Sequence, residues 1–240
     1  MRCQQSVLLV AFLLVATSTI QAHDLWLIPP DKAVAKQPVI VHANVGMEFP
    51  NSELAPDTAG YPSKLVIKPN GDSDPVKSAG KKDRSGLLEF TPSVSGIHLV
   101  AVTTTPKVLE LDADRFNEYL VTDGMPHIFR LRVKEKSLNQ AAKERYRKSP
   151  TALIRVGDSN DGKWDRVLDL PLQIVPLQNP FERKAGDTPR GAVRTDDKGE
   201  ALIPINGSGL MTIRLTHMTR PKTAEYEWES FWTTLTFRVP

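Results

Sequence analysis

Val39-Ile40-Val41-His42-Ala43-Asn44-Val45 reads as a strand with one buried face. Val39, Val41, Ala43 and Val45 fall on that face, and Ile40, His42 and Asn44 on the other, which is the period of a pleated strand against a core. Working outward, Lys64–Lys68, Gly86–Phe90, Ile97–Thr103 and Lys107–Leu111 are further short strands. Pro69-Asn70-Gly71 and the Thr91–Gly96 connection supply turns between them. Asn51–Ser63 and Asp72–Ser85 read as polar loops. Short strands at this spacing, punctuated by Pro, Gly and Asn, predict a β-sandwich.

The middle of the chain changes character. Asp112–Leu120 predicts a helix, with Asp112 as N-cap and Phe116 and Leu120 one turn apart. Ser137-Leu138-Asn139-Gln140 has the form of a capping box and predicts a second helix through Arg147. Thr151–Val156 returns to strand, and Asp158–Asp165 reads as a polar loop. Beyond it, Leu172–Val175, Ala201–Ile205, Leu210–His217 and Phe231–Val239 are strand candidates, with turns at Asp197-Lys198-Gly199 and Asn206-Gly207. The expected fold is all-β. An N-terminal β-sandwich with two short helical insertions occupies 23–168, and a smaller β domain occupies 169–240.

Residues 1–22 have the form of a secretory signal peptide: Arg2, the apolar run Val7–Ala16, then small residues ending at Ala22. The run is shorter than the roughly 20 apolar residues a membrane span needs. Cleavage is expected after Ala22, which places the mature chain in the periplasm or outside the cell. Cys3 is the chain's single cysteine, so the processed protein has no disulfide, thiolate ligand or cysteine nucleophile. Cleavage also makes His23 the first residue. Its α-amine and ring nitrogen then form a ready-made chelate, both titrating near neutrality.

Composition narrows the function. The 240 residues are 40% hydrophobic and 25% charged, near the globular average, which excludes a disordered or collagen-like chain. A net charge of +3 is too small to make nucleic acid a partner. No P-loop, GxGxxG or GxSxG elbow is present, so no catalytic residue and no organic cofactor emerge. Asp158–Asp165 lacks the EF-hand spacing, because Gly162 falls one position early. Lys134, Lys136, Lys143, Arg145, Arg147 and Lys148 read as the solvated face of the second helix.

Five histidines remain as metal-ligand candidates. His23 leads because of its terminal amine. His42 lies on the polar face of its strand, His98 beside Val100 and Val102, His127 in the turn after the first helix, and His217 on the Met211, Ile213, Leu215 face. None has the close spacing of a one-segment metal site, so distant segments must converge. Each of the last four also reads simply as a surface or hydrogen-bonded histidine.

The chain resembles the secreted DUF4198 family, grouped with periplasmic components of cobalt and nickel uptake systems. The likeness rests on Ala22-His23-Asp24-Leu25-Trp26-Leu27, Leu109-Glu110-Leu111, Phe116–Leu120, Arg145–Lys148 and, above all, Pro171–Phe181. Thr195–Gly199, His217-Met218, Trp228-Glu229-Ser230 and Leu235-Thr236-Phe237 continue it. The resemblance implies an N-terminal β-sandwich followed by a smaller immunoglobulin-like domain, metal handling outside the cytoplasm, and a membrane transporter component as partner. Only Thr188–Arg194 stand where the family carries a longer stretch, so the second domain is expected to be shortened.

These observations predict an exported protein that delivers or buffers Ni²⁺, Co²⁺ or Cu²⁺. His23 would contribute amine and imidazole, with His217, His98 or His42 as further ligands, donors that suit late first-row metals. The rival reading is a metal-free immunoglobulin-like module that recognises a surface or protein partner through its loops.

Overall fold

The computed structural model describes residues 23–182, 193, 195–203, 205, 207–222 and 225–240. The expected signal peptide, the shortened stretch at 188–194 (Val193 apart) and Asn206 lie outside the described residues. Among the described residues, twelve strands and two short helices make an all-β fold in two sheets.

The smaller sheet contains β1 (Asp24–Ile28), β2 (Val39–Gly46), β5 (Lys77–Lys82) and β6 (Ser85–Phe90), in the order β1-β2-β6-β5. The larger sheet contains β3 (Ser63–Ile67), β4 (Ser73–Pro75), β7 (Gly96–Thr103), β8 (Lys107–Leu111), β9 (Ala142–Lys148), β10 (Thr151–Val156), β11 (Gly209–Thr219) and β12 (Trp228–Val239). The alternation expected in β2 holds from Val39 to Ala43, with Val39, Val41 and Ala43 buried and Ile40 and His42 not, and reverses at its end, where Asn44 is buried and Val45 only partly so. Asp72–Ser85, expected as a loop, instead holds β4 and β5, whose exposed polar residues carry no alternating signal.

Two long ribbons define the larger sheet. β7 runs into β8 and β9 into β10, each pair broken by a proline-containing bend at Thr104–Pro106 or Ser149-Pro150. The bends are matched, because Thr104 N–H donates to Lys148 O and Lys148 N–H to Thr104 Oγ1. They divide the sheet in two. On one side β3, β7 and β10 pack against the smaller sheet around Leu27, Val41, Leu88, Val100 and Ile154. On the other, β8, β9 and β12 are covered by α1 (Ala113–Thr122) and α2 (Pro126–Lys134) around Phe116, Leu120, Met125, Trp228 and Trp232.

β12 holds the halves together. It runs parallel to β9 through Trp228–Trp232, then parallel to β10 at Leu235 and Thr236, and antiparallel to β11 along its other edge. Strands before and after residue 168 therefore share one sheet. Leu172–Val175 and Ala201–Ile203, expected as strands, have no regular structure. Leu168, Ile174 and Phe181 instead form part of an irregular strap packed on the outer face of β7, β10 and β12. Gln173 pins the strap by accepting from Leu168 N–H and donating to Arg166 O. Farther along, Asn179 donates to Asn160 O. At Gly162 an added Cβ would lie 2.5 Å from Ile97 O, so only glycine permits this close approach.

The first helix matches its reading, with the Asp112 carboxylate accepting from Arg115 N–H. The second does not. The helix is Pro126–Lys134, with His127 in its first turn, and Ala142–Lys148 is strand. Lys136, at a φ of 57°, ends the helix, and the buried Arg132 guanidinium donates to Ser137 O and Gln140 O. Those carbonyls are therefore committed to a turn. Ala142 and Glu144 alternate inward between β8 and β12, and burial outweighs the local capping pattern. Arg132→Met leaves both carbonyls without their charged donor and should lower unfolding free energy by about 3 kcal/mol, against less than about 0.5 for exposed Lys134→Met. Urea unfolding of the two variants checks this.

Candidate functional site

The start of β1 lies against the seam between the two halves of the larger sheet. Asp24, Leu25, Trp26 and Leu27 are all buried, because β1 pairs with β2 on one side while Thr234 of β12 donates to Leu25 O. Trp26 meets Phe49 edge to face, with ring centroids 5.6 Å apart. This anchoring presents His23 at the entrance to a polar cluster.

The His23 ring places Nε2 2.7 Å from Glu53 Oε2. Glu53 is held in turn by its own backbone, which donates to Val45 O, and by Met47 N–H, which donates to Oε1 at 2.8 Å. The Met47 bond, followed by the His23 contact, pulls the Glu53 carboxyl below its ordinary range, so it stays ionised. Glu53 comes from a polar loop thirty residues away, and no spacing rule connects it to His23.

Behind His23 lie further charges, buried except for the half-exposed Arg214. Lys148 Nζ donates to His23 O and lies over the rings of Trp232 and Tyr146, 5.3 and 5.6 Å from their centroids. Burial pushes this amine down to about 8, opposed by Asp24 and Asp123, so it remains charged at neutral pH. The Asp24 carboxylate accepts from Arg214 Nη1 at 2.9 Å, and Asp123 Oδ1 lies 3.5 Å from the same nitrogen. Burial raises Asp123 to about 6, opposed by Arg214.

Glu144 occupies the inner end of the cluster. Tyr119 Oη and Ser230 Oγ both donate to Oε1, and Trp232 Nε1 donates to Ser230 Oγ. Oε2 has no partner. Burial raises this carboxyl to about 7, against the pull of the two hydroxyl donors. With Glu144 protonated, two carboxylates face two cations and the cluster is neutral. The solvated basic face expected here is therefore corrected for Lys148, which points into the protein, and for Arg145, which pairs with Glu229.

The other histidines lie elsewhere. His98 is fully buried in the sandwich, with Nδ1 3.1 Å from Gly96 O, a neighbouring Phe90 ring at 5.9 Å, and Nε2 without a partner. Burial lowers its pKa. His42 faces outward from β2 opposite Ile28, at the far end of β1 from Asp24. Its pKa is lowered by partial burial and then by Lys82. His217 is exposed on the edge strand β11, near enough to His127 to add to the lowering that burial imposes on that ring. His23 is thus the one of the four expected ligands seated beside a carboxylate partner. Among the described residues no group of three or more His, Cys, Asp or Glu could hold a metal ion.

A family model described as a domain of unknown function, DUF4198, matches residues 20–208. The chain belongs to this family. The matched span begins just before His23 and takes in Glu53, Asp123, Glu144, Lys148 and the strap, while β11 and β12 follow it. No curated protein and no solved structure matches the chain. No helix among the described residues is long and apolar enough to cross a membrane.

Glu144 makes stability depend on pH. Its folded pKa of about 7 lies above the 4.5 of a free carboxyl, so the unfolded chain releases this proton first. Its stabilising contribution is full below about 4.5 and is lost as pH rises toward 7. Glu144→Gln keeps an acceptor for Tyr119 and Ser230 but cannot ionise. The fall in stability between these limits should shrink by on the order of 2–3 kcal/mol in the variant. Denaturant midpoints across the pH series test this, and identical slopes for both proteins would contradict it.

Proposed function

We propose that this protein is an exported carrier or buffer of a late first-row transition metal, Ni²⁺, Co²⁺ or Cu²⁺, captured at a processed N-terminus beginning with His23. The supporting observation is the His23–Glu53 pair. Glu53 Oε2 accepts from the ring Nε2 at 2.7 Å, the contact by which a carboxylate orients a metal-binding imidazole and raises its basicity. The α-amine released by cleavage after Ala22 and the ring Nδ1 of the same residue would then form the chelate, with Nε2 left on Glu53.

In this reading the protein's residues divide the work. Met47 N–H and the loop backbone hold Glu53 ionised and facing His23. Lys148 fixes the His23 carbonyl, which limits where the amine can swing. Burial of Leu25, Trp26 and Leu27 anchors the terminus, so less ordering is needed on binding. His217, His98 and His42 contribute no donor beside this pair. An immunoglobulin-like module acting without metal is the alternative, and a membrane transporter component is the partner to which cargo would pass.

Calorimetry with Cu²⁺, Ni²⁺ and Co²⁺ distinguishes the readings. Protein beginning at His23 should take up one equivalent, tightest for Cu²⁺. A Met-extended chain, His23→Ala and Glu53→Gln should each bind at least about tenfold more weakly. Affinity should also fall below about pH 6.5 as imidazole and amine become protonated. Equal affinity in all four proteins would remove His23 from the site and favour the metal-free module.

A further inference from the structure

A cavity of about 520 Å³ opens on the outer face of the larger sheet, where the matched strand bends meet the strap. Arg147 lies at this bend on β9, directly before Lys148, and alternation sends it to the face opposite the polar cluster. Arg147 is part of the cavity lining. Among the described residues no carboxylate lies within ion-pair distance of it and it makes no hydrogen bond, and its Nε is buried without a partner. Of the other basic residues of β9, Arg145 pairs with Glu229, Lys148 donates to His23 O, and Lys143 lies away from the cavity; Arg147 is the one of the four that lines it.

A guanidinium keeps its charge in proteins, so partial burial without a counter-charge is unfavourable until an anion arrives. The walls indicate what the anion must carry. Leu65, Leu168, Leu170 and Pro171 are apolar, whereas Thr103 and Thr105 are polar members of the lining, the Thr105 hydroxyl donating to Gly60 O. Asp169, exposed at the rim, disfavours a ligand with charge at both poles of the same sign. The volume falls in the usual range for small-molecule sites.

We infer that this cavity binds a small organic carboxylate with an apolar body, its carboxylate on Arg147 and its body against the leucines of the strap. The site is separate from His23 and independent of metal.

Benzoate is the probe, with benzamide, acetate and inorganic phosphate as comparisons, titrated into the full chain while amide shifts at Thr103–Thr105 are followed. Benzoate should shift these amides saturably. Benzamide, which lacks the charge, and acetate, which lacks the body, should each bind at least about tenfold more weakly. Arg147→Gln should lose at least tenfold in benzoate affinity. Leu170→Trp, which fills the cavity and keeps the arginine, should abolish binding and guards against misfolding of the first variant. Failure of benzoate to bind, unchanged affinity in either folded variant, or phosphate binding as tightly as benzoate would overturn the assignment.

Discussion

A buried ammonium must be surrounded by acceptors or lose its charge, and Lys148 meets that requirement by drawing three parts of the chain together. It reaches the His23 carbonyl at the head of the sandwich, shares the field of Asp24 and Asp123, and stacks on Trp232 of β12. Asp24 belongs to the smaller sheet, and Asp123 follows the first helix. Arg214, from the edge strand, closes the arrangement. The position of the chain's metal-binding candidate is therefore a consequence of charge neutralisation in the seam between the two halves.

The bends beside Lys148 make that seam. Because Pro106 and Pro150 interrupt neighbouring ribbons at matched positions, one sheet can serve two cores of different kind. The sandwich half is covered by strands and the other half by helices, and no separate interface has to be built between them. The strap then closes the outer face, using Phe181 and Ile174 where a further layer of sheet is absent.

Much of this was legible in the residues. The strand at 39–45 announced itself by period two, 97–103 by a continuous apolar run that is buried on both faces, and Asp112 marked a helix start. The reading failed where a local signal competed with burial. Ser137–Gln140 mimics a capping box, yet its carbonyls are taken by Arg132. The inward residues of 142–148 are Ala, Glu, Tyr and Lys, a set that no hydrophobic periodicity reveals. Leu172–Val175 looked like strand because it is apolar, but it lies in the strap as cover. For the site, His23 was legible from the expected processing point, and its neighbour Asp24 was not singled out. Glu53, Asp123 and Glu144 were not, since each comes from a distant segment and is polar in a polar context. Lys148 was visible only as one more basic residue.

The placement of β12 also bears on how the protein is made. The last strand described is the inner strand to which β9, β10 and β11 all pair, so ribosomal synthesis delivers the keystone after its neighbours. Until residues 228–239 emerge, the edge of β9 and β10 has no partner, and Trp228 and Trp232 are missing from the helix-covered core. Parallel pairing across some eighty residues of separation is also slow to form. A chain of this design stays unlocked until that segment is made, and the folding of both halves waits on it.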